Sequence, residues 1–113
     1  MARIIITDKL ADEVNKKFKK ESIEIFGLMK SLEEHPFKGK IVGQVSGIII
    51  KELRYKTYRF YFIADGFAIK FIEKNELDDL LIKFVRMSDK KTQQKVIDEI
   101  KYILRSLGTE GFD

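Results

Sequence analysis

At 113 residues, with 44% hydrophobic and 35% charged content, the chain is long enough for one globular domain built on a single core. The absence of cysteine excludes disulfides, thiolate metal sites and cysteine nucleophiles, and one histidine, His35, does not make a histidine-rich metal centre. The net charge of +4 is compatible with an anionic partner without requiring one, and no apolar run reaches the roughly 20 residues that span a bilayer.

The first apolar stretch, Arg3 to Thr7, is β-branched and reads as a strand; it is too short for a signal peptide, so a cytoplasmic location without a membrane partner is expected. Thr7-Asp8 offers an N-cap to a helix with Leu10, Val14 and Phe18 at four-residue spacing. A second helix reads from Ser22 to Glu34, its apolar positions being Ile25, Phe26, Met29 and Leu32. His35-Pro36 ends it, because the residue before proline is pushed out of the helical region. The two helices suggest a hairpin. Residues Phe37 to Gly47 hold three glycines and read as a loop with a short extended piece at Ile41-Val42.

The centre of the chain, Lys51 to Ile72, alternates between faces and reads as successive strands. Asp65-Gly66 between two such runs is a strong two-residue hairpin signal of type I′. That register pairs Ala64 with Phe67, Phe62 with Ile69, Phe60 with Phe71 and Tyr58 with Glu73 on an apolar face. It gathers Arg59, Tyr61 and Lys70 on the other face, about 5–8 Å apart. The preceding strand, Ile48 to Arg54, turns around Tyr55-Lys56, which places Leu53 on the core face and Glu52 and Arg54 beside Arg59. Lys51 then points towards the helices.

After Glu73 the pattern is helical again. Asn75 is a candidate N-cap, with Leu77, Leu80, Leu81, Phe84 and Val85 as an apolar stripe. Ser88 or Asp89 caps a last helix carrying Val96, Ile97, Ile100, Ile103, Leu104 and Leu107, and Gly108 stands at its C′ position. The fold class is therefore α+β, a two-layer domain in which an N-terminal helical hairpin packs on one face of an antiparallel sheet. Its order is β-α-α-β-β-β with two additional C-terminal helices, all within one domain spanning 1–113.

This order, with Glu52-Leu53-Arg54 followed by Tyr58-Arg59-Phe60-Tyr61-Phe62, resembles the RelE/ParE toxin superfamily. His35-Pro36-Phe37-Lys38-Gly39-Lys40, followed by Gly43 and Gly47, is similar to that family's loop between the second helix and second strand. The likeness covers residues 1–74, and residues 75–113 form a C-terminal extension. It implies the toxin of a toxin–antitoxin pair, with an antitoxin protein as partner. One branch of the family cleaves messenger RNA at the ribosome and the other inhibits DNA gyrase. For the cleaving branch the resemblance implies a metal-independent endoribonuclease without a cofactor. A ribose 2′-hydroxyl attacks the adjacent phosphate while fixed cations stabilise the developing charge.

Arg59 matches the family's tyrosine-arginine position and becomes the candidate for phosphate stabilisation, and Arg54 matches the leucine-arginine position. Tyr61 is the candidate for stacking or proton transfer, and Lys70 and Lys74 join Arg54 as RNA-binding candidates by location. Ile50 and Glu52 fall where cleaving relatives carry lysines. A non-catalytic protein- or nucleic-acid-binding module of the same fold, its C-terminal helices serving a homodimer or a partner, is the alternative. Several candidates also fit plainer roles. Arg59, Tyr61 and Lys70 suit a solvated sheet face, and His35 suits a helix end. The lysines flanking Phe18 suit a solvated helix face, and Tyr55 and Tyr58 suit an exposed sheet rim.

Overall fold

The computed structural model describes residues 1–71 and 80–113, with side chains for 1–69 and 80–113. The first strand, β1 (Arg3–Ile6), leads into α1 (Asp8–Phe18). Thr7 caps that helix as its sequence suggests, the hydroxyl oxygen accepting from the Leu10 N–H at 3.3 Å. A 3-10 turn at Lys19–Glu21 separates α1 from α2 (Ser22–Lys30), and a second at Ser31–Glu33 closes the helical hairpin before Pro36. Three strands follow as a meander: β2 (Lys40–Val45), β3 (Ile48–Tyr55) and β4 (Tyr58–Asp65). A short helix, α3 (Gly66–Phe71), precedes β5 (Leu81–Ser88) and the long α4 (Gln93–Leu107).

The five strands form one sheet in the order β1-β5-β4-β3-β2, with β1 parallel to β5 and every other pair antiparallel. The protein is thus α+β, with a helical N-terminal region, a mostly antiparallel sheet and two helices towards the C-terminus.

Alternation along β4 sorts its side chains as the sequence predicts. Phe60, Phe62 and Ala64 pack with Leu10, Val14, Ile25 and Met29 of the helical hairpin. The rings of Phe62 and Phe84 meet at 4.9 Å, tilted by 47°, in this layer. Lys51 shares the face and is buried. Its ammonium donates to the Phe37 carbonyl at 2.9 Å and lies 5.8 Å from the Phe62 ring, and burial pulls its pKa below the ordinary lysine value.

The opposite face is not open. Tyr61, Ile63, Ile50 and Val85 pack there against Ile97, Ile100 and Leu104 of α4, with Phe112 beyond them, so helices cover both faces. That corrects the expectation of helices on one face only. Val96, Ile97, Ile100, Ile103 and Leu104 face inward as read from the sequence, whereas Leu107 is exposed; what they cover was not legible from their spacing.

Two further expectations are corrected. Asp65-Gly66 does not close a hairpin: neither residue has the positive φ that a type I′ turn requires, and the Asp65 carboxylate instead accepts from the Ala68 N–H at 3.0 Å, starting α3. The Gly66 N–H donates to the Gly47 carbonyl at 2.7 Å, and a Cβ there would meet that oxygen at 2.8 Å. Asp-Gly serves a helix start as readily as a turn, and here a close backbone approach decides.

The second correction is β5. Leu81, Phe84 and Val85 belong to a strand rather than a helix, because β5 lies inside the sheet, covered on both faces beyond Leu81, and its apolar residues run nearly continuously. A bulge opposite Tyr61 and Phe62 turns Val85 and Arg86 to the α4 side, where Arg86 Nε meets Glu99 Oε1 at 2.7 Å. The expected cap at Asn75 and the position of Leu77 lie outside the described residues.

Candidate nucleic-acid interface

The β3–β4 turn falls at Lys56-Thr57, one residue later than the sequence suggests, with Tyr55 opposite Tyr58 and Arg54 opposite Arg59. The face assignment survives the shift. Lys56 adopts φ 55°, a left-handed conformation unusual for a residue with a Cβ, which keeps the loop to two residues.

On the hairpin side of the sheet, Tyr58 packs edge-on to Phe18 at 4.9 Å, and Lys17 Nζ lies 5.3 Å from the Tyr58 ring centre. The buried Tyr55 reaches the start of α2. Its hydroxyl shares one proton between Glu21 Oε2 at 2.7 Å and Glu24 Oε2 at 3.0 Å, while Lys56 Nζ donates to the same Glu21 oxygen at 2.9 Å. Lys56 and Tyr55 hold the Glu21 carboxyl below its ordinary pKa. Glu21, burial and Glu24 push the Tyr55 phenol far above its own. This brace ties the turn, and Lys56 with it, to the start of α2.

On the α4 side, Arg59 is 6% exposed. Its Nη1 donates to the Thr57 carbonyl at 2.8 Å, and its Nε is buried without a hydrogen-bond partner. Arg54 beside it is exposed, with Nε 3.7 Å from an oxygen of the buried Glu52. Glu52 therefore leans to Arg54, and its cross-strand neighbour on β4 is Tyr61. Tyr61 is fully buried, its hydroxyl 2.8 Å from Ser88 Oγ, and burial raises the phenol's pKa.

The structure thus joins Arg54 to Arg59 but separates Lys70 from both. Lys70 belongs to α3, which follows the far end of β4, six strand steps or about 20 Å from Arg59. The neighbours of Tyr61 across the sheet are Glu52 and Arg86, not Lys70. The Arg59–Tyr61–Lys70 cluster rested on the Asp65-Gly66 hairpin and falls with it. Lys74 lies outside the described residues.

What the sequence reading missed is the company Arg59 keeps. Lys16, Lys17, Lys19 and Lys20 are exposed at the end of α1, next to Tyr58. Lys90 and Lys91 are exposed just after Ser88, the partner of Arg59 on β5. With Arg54 and Lys56, cations from three separate stretches of chain converge on one end of the sheet around half-buried aromatic rings. The paired lysines flanking Phe18 were the available signal, yet their spacing suits a solvated helix face equally well.

Among the described residues no group of three acidic or histidine side chains is placed to hold a metal ion, and no helix is long and apolar enough to cross a membrane. Comparison with protein-family models, with curated proteins and with solved structures finds no match to this chain.

Proposed function

We propose that this protein is a RelE/ParE-like toxin that docks RNA on the cationic end of its sheet. The observation that carries the reading is the gathering of cations at the β3–β4 turn end of the sheet, with Lys17 beside Tyr58 on the hairpin side and Arg54 opposite Arg59 on the α4 side. Neutralising phosphates with lysine and arginine drives nucleic-acid binding, and an aromatic ring among them offers a surface on which a base can stack. Arg59 adds a guanidinium at this end of the sheet whose Nε is buried without an acceptor, so a phosphate reaches that donor only if the side chain is uncovered.

In a cleaving toxin Arg59 would stabilise the charge that grows on the phosphate as the 2′-hydroxyl attacks, and Arg54 would position the strand. The cellular setting that goes with this reading is the cytoplasm, with messenger RNA at the ribosome as target and a cognate antitoxin as partner. The full burial of Tyr61 beneath α4 favours the second reading, a module of the same fold that binds RNA without cutting it.

Induced expression in a bacterial host separates the two. The toxin reading expects growth arrest with fragmented messages, relieved by Arg59→Ala. Soluble, folded protein that leaves growth and message length unchanged contradicts it, and RNA binding by that same protein then supports the module.

A further inference from the structure

A cavity of about 400 Å³ opens at the end of the sheet remote from the Lys56-Thr57 turn, a volume in the range of small-molecule sites. Four strands each give it an aliphatic wall: Ile5 from β1, Ile48 from β3, Ile63 from β4 and Leu81 from β5. Ile5 is 45% exposed and Leu81 37% exposed, so this part of the face is apolar yet in contact with water. The helix α4 ends before covering it, and the 3-10 turn at Gly108–Phe112 borders it instead.

The charged groups lining the cavity are three carboxylates, Asp65, Glu110 and Asp113, and one ammonium, Lys83. Lys83 is already neutralised, 2.7 Å from Asp113 Oδ1 and donating to the Thr109 carbonyl at 2.9 Å. Asp65 accepts from a backbone N–H, which leaves its charge in place, and neither Asp65 nor Glu110 has an ion pair among the described residues. Among the described residues, then, two of the lining carboxylates have no ion-pair partner, on a chain whose net charge is +4.

We propose that this cavity binds a compound with an aliphatic body and a protonated amine. The body removes the exposed Ile5 and Leu81 side chains from water, and the ammonium meets the Asp65 and Glu110 carboxylates. A carboxylic acid of the same shape would bring a third uncompensated negative charge and is disfavoured. The site is separate from the cationic end and does not depend on the RNA-binding reading.

The test titrates the full chain with n-hexylamine, hexanol and hexanoate while following isoleucine and leucine methyl resonances. Saturable shifts confined to Ile5, Ile48, Ile63 and Leu81 are expected, with hexylamine bound tighter than hexanol and hexanoate weakest. Asp65→Asn combined with Glu110→Gln should lower hexylamine affinity to that of hexanol, about two- to fivefold per carboxylate removed. Asparagine still accepts from the Ala68 N–H, and Glu110→Gln alone, in an exposed residue, should move affinity the same way. Absent or scattered shifts, hexanoate bound as tightly as hexylamine, or unchanged affinity in these variants would overturn the proposal.

Discussion

Arg59 and Tyr61 sit two residues apart on one face of β4 and play different parts. Arg59 lies at the rim with an unsatisfied Nε, whereas Tyr61 lies inside a core with its hydroxyl committed to Ser88. Tyr61→Phe should therefore cost about 0.5–1.5 kcal/mol of stability through the lost hydrogen bond, measured by chemical denaturation, and leave RNA affinity unchanged. A drop in RNA affinity at unaltered stability would assign the phenol a direct role instead.

The Glu21 brace makes a second residue-level prediction. Lys56 and Tyr55 hold the carboxyl's pKa below its ordinary value, so the folded state binds its proton more weakly than the unfolded state does. The resulting stabilisation is present above the unfolded pKa and is lost as pH falls through the lower, folded value. Unfolding midpoints at pH 7 and pH 3 should differ less in Glu21→Gln than in wild type; an identical difference would show that the brace is not coupled to folding. The sequence already displayed Tyr55, Lys56 and Glu21, but more than 30 positions separate Glu21 from its partners, and no local pattern records such a meeting.

At the scale of elements, legibility followed how each segment is buried. α1, α2 and α4 each show water one side, so their periodicity identifies them, together with the Thr7 hydroxyl and Gly108, whereas the cap expected at Ser88 or Asp89 falls instead at Thr92 because Ser88 ends β5. β5 shows water neither face along most of its length, and a run such as Leu81-Ile82-Lys83-Phe84-Val85 carries no period that separates strand from helix. Asp65-Gly66 failed for another reason, since the same two residues suit a turn and a helix start. Face assignment along β3 and β4 came through because a strand's period of two survives moving the turn by one residue when both flanking strands keep their parity. Gly108 gives this scale its own test. With φ 72° and ψ −164° it occupies a region nearly closed to other residues, so Gly108→Ala should destabilise the protein by about 1–3 kcal/mol in thermal or denaturant unfolding. A neutral outcome would mean that the end of α4 is set by something other than this glycine.

For the whole molecule, the sheet divides two apolar layers, one under the helical hairpin and one under α4. Its two ends differ in charge among the described residues: lysines and arginines gather at the β3–β4 turn, and carboxylates outnumber cations in the lining of the cavity at the far end. The net charge of +4 averages over this asymmetry and conceals it. Docking of RNA at the cationic end is the central claim, and its electrostatic signature is distinctive. Anisotropy titrations of a labelled single-stranded RNA across a potassium chloride series measure it directly, comparing wild type with a Lys17→Ala, Lys20→Ala double variant, whose two lysines are exposed at the end of α1. The wild type should bind with an affinity that falls steeply with salt. Loss of two phosphate contacts should weaken binding and flatten the slope of log K against log salt by about 1.4, or 0.7 per contact. Affinity and slope unchanged in the folded variant would contradict the claim.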